Sequence, residues 1–187
     1  MIPLDRDALS RIAVRPYATL RSELRTGDVI FCAGQHVFSR LVAWATKSPI
    51  THVGIVIRVD ELDRVLLLEA VEDFGVRLAP FSDLLRYRGM VFVARSTSVG
   101  DLTTAAGWGL DHLAQPYSYL TIARLAARLA LGRGRGSDPD ATGWICSEYA
   151  AAWLALAGEA DLVPNGRLVT PADLWSHDSL SFVARLR

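Results

Sequence analysis

The chain has 187 residues, 51% of them hydrophobic and 21% charged, and 20 Lys plus Arg balance 20 Asp plus Glu. That composition excludes disorder across the whole chain and suits one domain with a substantial core. Zero formal net charge excludes broad electrostatic capture of nucleic acid, and the one small basic cluster, Arg133 and Arg135 in a Gly-rich stretch, reads as a solvated loop.

Residues 5–24 carry apolar positions at Leu9, Ile12, Ala13, Leu20 and Leu24. They predict helix broken near Pro16, so that residues 1–23 form a helical extension. Gly27-Asp28 signals a turn before a short buried strand, Val29-Ile30-Phe31-Cys32. Apolar positions 37, 38, 41, 42 and 45 predict a helix, ended by Ser48-Pro49. Residues 52–59 and 65–71 predict two strands of a hairpin across a polar turn at 60–64. Further strands begin at Gly75 and span 90–95, with a short helix at 81–85 between them. Connections this short favour antiparallel pairing.

The second half is mostly helical, with segments at 101–113, 119–131 and 145–157, the last closed by Gly158. Residues 132–143 predict a flexible loop. A short helix opens at Pro171 with Thr170 as its cap, and residues 181–186 predict a closing strand. The pattern is α+β, a central antiparallel sheet packed by helices in a single domain, 1–187. The longest apolar stretch, 120–131, holds Arg124 and Arg128 and is too short for a membrane span. No integral membrane association is expected. The first residues lack a basic start followed by an apolar core. Two distant cysteines, Cys32 and Cys146, make no disulfide framework. A cytoplasmic, thiol-reduced protein is expected.

Three residues suggest chemistry. Cys146 opens the helix predicted at 145–157, where the positive end of the helix dipole stabilises a thiolate and free N–H groups can hold an oxyanion. Free cysteine is also among the most buried residue types, so a core reading stands beside the chemical one. His52 opens an apolar strand, a place where a lone histidine is often a hydrogen-bonded structural residue. Glu69 is an acid inside the apolar run Leu66-Leu67-Leu68-Glu69-Ala70, and a buried acid needs a partner. Centring the hairpin turn on residues 60–61 pairs His52 with Glu69 across the strands. A carboxylate there can orient and charge-stabilise the imidazole.

Leu24-Arg25-Thr26-Gly27-Asp28-Val29, Thr51-His52-Val53-Gly54-Ile55-Val56, Leu68-Glu69-Ala70 and Ile145-Cys146-Ser147-Glu148-Tyr149, in that order, resemble the circularly permuted, NlpC-type papain-like cysteine hydrolases (YiiX-like or YaeF-like). Gly75-Val76 and Thr170-Pro171-Ala172-Asp173-Leu174 also fit. The resemblance runs from about Leu24 to Phe182. It implies a permuted papain-like fold with Cys146 as nucleophile, His52 as general base and Glu69 as orienting acid. Residues 110–142 are longer and more apolar than the family pattern, and the helix at 119–131 reads as a lid or an acyl-chain wall. Gln115-Pro116-Tyr117 resembles the family's Pro-Tyr segment.

Other candidates carry less. Tyr117, Trp144 and Ser147 are taken as substrate-facing. Cys32 lies in a core strand and reads as inert. Cys32 and His36 are at most half a metal site, no second ligand pair follows, and neither a metal nor another cofactor is expected. His112 and His177 lack ligand-spaced neighbours. Glu148 reads as a complement to the helix dipole. Tyr149, Trp153 and Leu156 recur at helical spacing and predict core, and Trp44, Trp108 and Trp175 predict packing. Two function classes remain: a cysteine hydrolase of amidase or peptidase type acting through an acyl-enzyme, and a non-catalytic binding module on the same fold. A lipid acyltransferase or thioesterase is a variant of the first. The expected partner is a small peptide-like or acyl-bearing substrate, and the oligomeric state is left open.

Overall fold

The computed structural model describes residues 4–34, 43–44, 46–98, 100–131, 142–162 and 168–187. Most of the helix expected at 37–45, His36, Arg133, Arg135 and most of the loop at 132–143 lie outside these residues.

Six strands build one antiparallel sheet: β1 (Val29–Gly34), β2 (His52–Val59), β3 (Arg64–Val71), β4 (Gly75–Pro80), β5 (Gly89–Ser96) and β6 (Leu180–Arg185). Their order is β4-β3-β2-β1-β5-β6, and every pairing is antiparallel. β1 lies near the middle and is buried along its whole length. Its unbroken apolar run follows from that, because both faces of the sheet are covered. Val29, Phe31 and Ala33 join one core with Val53, Ile55 and Phe92, while Ile30 and Cys32 join a second core with Val56, Leu67 and Val91. The strand's two-residue period sorts them.

Helices and turns supply the covers. The short helices α1 (Arg6–Ser10) and α2 (Tyr17–Leu20) flank the break expected near Pro16. Leu20 and Leu24 enter the second core beside Phe81 and Leu84 of a 3-10 turn. The first core is capped by α3 (Leu102–Asp111), α5 (Cys146–Leu156) and α6 (Pro171–Trp175). α5 buries Tyr149, Ala150, Ala151, Trp153 and Leu154, as expected of a helix that is apolar on most sides. Thr170 and Asp173 form a reciprocal capping box around Pro171 at the start of α6, the arrangement that sequence type favours. α4 (Tyr119–Ala130) packs separately, setting Ile122 and Leu125 against Ile145 and Leu168.

Two expectations about the core are corrected. Leu156 is 41% exposed and Trp44 63% exposed, so neither is core. Leu156 lies toward the outer face of α5 with the half-buried Ala152 and Ala155, while Ala157 beyond it is fully buried.

Candidate active site

The start of β2 is pinned to β1. The Thr51 N–H and hydroxyl both donate to the Cys32 carbonyl, and the Thr51 hydroxyl accepts from the Gly34 N–H. His52 follows as the first residue of β2 and is the partner of Cys32 across the ladder.

The hairpin register differs from expectation. Ile55 pairs with Leu68 and Val56 with Leu67, which extends to Gly54 opposite Glu69 and places His52 opposite Val71. The cause lies in the turn. Asp60–Leu62 forms a 3-10 turn, and Asp63 follows in the left-handed region at φ 46°. The turn centre therefore sits one residue later than expected, and the partner of His52 moves by two. A shift of two preserves the face, so His52 and Glu69 are diagonal neighbours on one side of the sheet. His52 Nε2 donates to Glu69 Oε2 at 2.6 Å. Gly54 keeps that diagonal open, because a Cβ there would lie 2.9 Å from Leu67 Cδ1 and 3.2 Å from Glu69 Cβ.

Glu69 is 4% exposed and is held from two sides. Arg77, its partner on β4, donates to Oε1 from Nε at 2.9 Å and from Nη2 at 2.7 Å. Burial pushes the Glu69 carboxyl up, but the His52 hydrogen bond and charge, with those of Arg77, hold it below its ordinary value.

Cys146 comes from the other layer, as the first residue of α5. The chain reaches it through Gly143, whose φ of +96° and close approach to the Pro116 carbonyl admit no side chain without strain. Trp144 N–H donates to Pro116 O, and Ser118 N–H donates to Trp144 O. This bridge sets Tyr117 next to the helix start. Cys146 is 6% exposed and lines the same cleft as the His52 ring. With Nε2 given to Glu69, Nδ1 is the ring nitrogen left for sulfur. Both residues are first in their elements, so they meet at the end of the sheet although α5 lies on the opposite face from the His52 side chain.

Burial alone would favour neutral His52. The hydrogen bonds from Cys146 and Glu69, and their charges, outweigh it and raise the imidazole from its ordinary 6.5 to about 10. Ile145, at the cap of α5, makes no side-chain capping bond and has no acceptor to offer. It leaves the first-turn N–H groups uncapped by its side chain.

The thiol faces a cleft of about 240 Å³ lined by His52, Glu69, Glu72, Arg77, Asp83 and Tyr117, among others. A second, apolar recess on the other side of Cys146 is closed by Ile122 and Leu125 of α4 against Leu168, and its volume is about 20 Å³. That is room for one water-sized group. As an acyl-chain wall, α4 would have to move first.

Tyr117 lines both spaces. Burial raises its phenol far above its ordinary value, and the charges of Cys146 and Glu72 add to that. Ser147 lines the small recess and not the larger cleft. The Ser147 hydroxyl, 1% exposed, donates to Val169 O at 2.8 Å and ties the first turn of α5 to the segment before α6. Trp144 lines neither space. It meets Trp108, His112 and Tyr149 edge to face and donates from Nε1 to Gln115 Oε1.

Cys32 is fully buried, and burial, then the charges of Glu69 and Cys146, push its thiol well up. His112 pairs with the Trp108 carbonyl and His177 with the Ser179 hydroxyl. Among the described residues, no group of three or more His, Cys, Asp or Glu side chains is placed to hold a metal ion.

Arg77 is the site residue that sequence reasoning missed. The signal was present: the turn at 72–74 centres on Asp73, and doubling back from Glu69 across it lands on Arg77.

No known family model matches the chain, and no curated protein sequence matches it. Its fold is that of a solved structure, the metalloprotein yiiX from Escherichia coli O157:H7, with a TM-score of 0.55 and 20% identity over 86% of this chain and 97% of that one. No helix among the described residues is long and apolar enough to cross a membrane.

Proposed function

We propose that the chain is a cysteine-dependent hydrolase of amidase or peptidase type, built on a circularly permuted papain-like framework in which the histidine strand precedes the cysteine helix. The observation that carries this reading is the convergence of Cys146, His52 and Glu69 on one cleft, with the His52 ring bonded to the buried Glu69 carboxylate. A binding module has no use for a nucleophile, a base and an orienting acid in that order.

The chemistry runs as follows. With its imidazole raised, His52 already holds the proton given up by the Cys146 thiol, and sulfur attacks the carbonyl carbon of an amide or ester. The carbonyl oxygen gains the negative charge and is met by first-turn N–H groups of α5. His52, now an imidazolium steadied by Glu69, returns its proton to the leaving nitrogen or oxygen, and the C–N or C–O bond breaks. Water then attacks the thioester with His52 taking its proton. The carboxylic acid leaves, and the thiol is restored.

The cleft of about 240 Å³, and not the 20 Å³ recess, has room for substrate. This favours a small peptide-like amide over a long acyl chain. A reducing, cytoplasmic setting would keep the free thiols of Cys32 and Cys146 available.

The test is intact-mass spectrometry during incubation with a panel of short peptide amides and esters. The expected result is an acyl adduct that maps to Cys146 and is missing in Cys146→Ala. Turnover that persists in folded Cys146→Ala overturns the mechanism, and neither adduct nor turnover with any substrate leaves the binding module as the better reading.

A further inference from the structure

Arg77 stands outside the three residues that the chemistry above employs. It is directly opposite Glu69 in the β3–β4 register. Both its Nε and its Nη2 donate to the same oxygen, Oε1, at 2.9 and 2.7 Å. Oε2 is thereby left to accept from His52 Nε2 at 2.6 Å. The terminal torsion of a glutamate is broad and nearly two-fold. A guanidinium fork on one oxygen removes that freedom and fixes which oxygen meets the imidazole. Arg77 is itself held from behind, with its guanidinium carbon 5.0 Å from the centre of the Phe74 ring, where the negative ring face attracts a cation.

Charge points the same way. In the catalytic state the order Cys146, His52, Glu69, Arg77 reads thiolate, imidazolium, carboxylate, guanidinium, alternating in sign and summing to zero. Without the guanidinium the same group carries a net negative charge in a confined site, and taking up a proton is the cheapest way to neutralise it. The other titratable groups lining the cleft are Cys32 of β1, Glu72 after β3, Asp83 and Tyr87 around the 3-10 turn, and Tyr117. All are neutral or negative, and none replaces the cation.

We propose that Arg77 is a positioning residue: by spending two donors on one oxygen of Glu69 it reserves the other for His52 and completes a neutral four-group chain behind the Cys146 thiol. The proposal rests on the cysteine chemistry above and assigns no contact with substrate to Arg77.

The test is the rate of Cys146 alkylation by iodoacetamide as a function of pH, read by peptide mapping, in the wild type, Arg77→Met, Arg77→Lys and His52→Ala. In Arg77→Met the acid limb of the profile moves up by about one pH unit, a roughly tenfold slower alkylation on that limb, as expected for loss of a nearby opposite charge. Arg77→Lys keeps the charge without the fork. It recovers most of the limb but lowers kcat on any substrate found, because the carboxylate can turn. A folded Arg77→Met protein with an unmoved limb overturns the positioning role. Should Arg77→Met fail to fold, a normal limb with wild-type kcat in Arg77→Lys overturns it equally. A wild-type profile indifferent to His52→Ala overturns instead the thiol–imidazole reading beneath it.

Discussion

Cys32 and Cys146 line the same cleft, and both lie beside His52. Cys32 is its partner in the β1–β2 ladder, while Cys146 reaches the cleft from the start of α5 and helps raise its imidazole. Cys32 lies within a central strand whose backbone donors and acceptors are spent on the sheet. Its thiol is pushed well up by burial and by the negative charges nearby, so it stays protonated. Cys146 opens a helix whose cap offers no side-chain acceptor. An imidazole has two nitrogens. Here one goes to Glu69, the other is left for Cys146, and Cys32 receives neither. Nearness to a histidine therefore does not make a nucleophile. On the reading proposed above, the direction of the ring nitrogens and the element that carries the thiol do.

Removing the Cys146 side of this contrast has the largest effect. On the proposed chemistry, Cys146→Ala is expected to end covalent turnover. His52→Ala lowers kcat/KM on the order of 10²–10⁴-fold, the usual contribution of a positioned base. The double variant is little worse than Cys146→Ala alone, because members of such a unit are not additive. Initial rates on variants shown to be folded by circular dichroism check all three, and additive losses would mean that the two residues act separately.

Glu69→Gln comes next. A bare His–Glu pair would tolerate the amide, whose oxygen can accept from the imidazole. Here Arg77 already holds one oxygen with two donors. The glutamine oxygen stays with Arg77, and its NH₂ faces His52 Nε2, which must then accept. The ring is left with its hydrogen on the nitrogen facing sulfur, the wrong tautomer for a base. We expect a loss of about 10²-fold or more in kcat. A mild loss would show that the amide has turned away from Arg77.

Stability against pH gives a smaller signal. The imidazole of His52 is raised from 6.5 to about 10 in the folded state, so the fold holds that proton more tightly than the unfolded chain does. Its stabilisation is complete below about pH 6.5 and is lost as pH rises through about 10. Glu69 has the opposite sign. Its contribution is present above about 4.5 and is lost as pH falls through its lower folded value. The gap in urea midpoint between wild type and His52→Ala therefore shrinks across the alkaline range. A constant gap would contradict the raised imidazole.

The smallest effect is expected at Cys32. Cys32→Ala costs about 1 kcal/mol of stability, as ordinary core truncations do, and leaves turnover where it was. Urea unfolding and initial rates check this, and a large loss of turnover would draw Cys32 into the chemistry.

Alternation is a local signal, so sequence patterning anticipated the antiparallel strands and the shared face of His52 and Glu69, while Cys146 was joined to them only through the family resemblance. Three features escaped it for physical reasons. The hairpin register depended on Asp63 adopting a left-handed conformation, a choice made by the turn and not by the strands. Ser147 and Trp144 lie close to Cys146 in sequence, but Ser147 is turned about 100° from it along α5 and Trp144 sits before the helix, in the bridge to Tyr117. One meets the Val169 carbonyl and the other an aromatic cluster. Arg77 was hidden because an arginine on a strand looks like a solvated residue until the register of β3 with β4 sets it against a buried acid.

The most direct test is a competition between the two thiols in one protein. The folded wild type is treated with limiting iodoacetamide at about pH 6, where an ordinary thiol is almost wholly protonated, and label on the Cys32 and Cys146 peptides is compared, with His52→Ala alongside. Cys146 should take the label, Cys32 should not, and His52→Ala should abolish the preference. Faster labelling of Cys32, or Cys146 labelling that ignores His52, would contradict the nucleophile assigned to this fold.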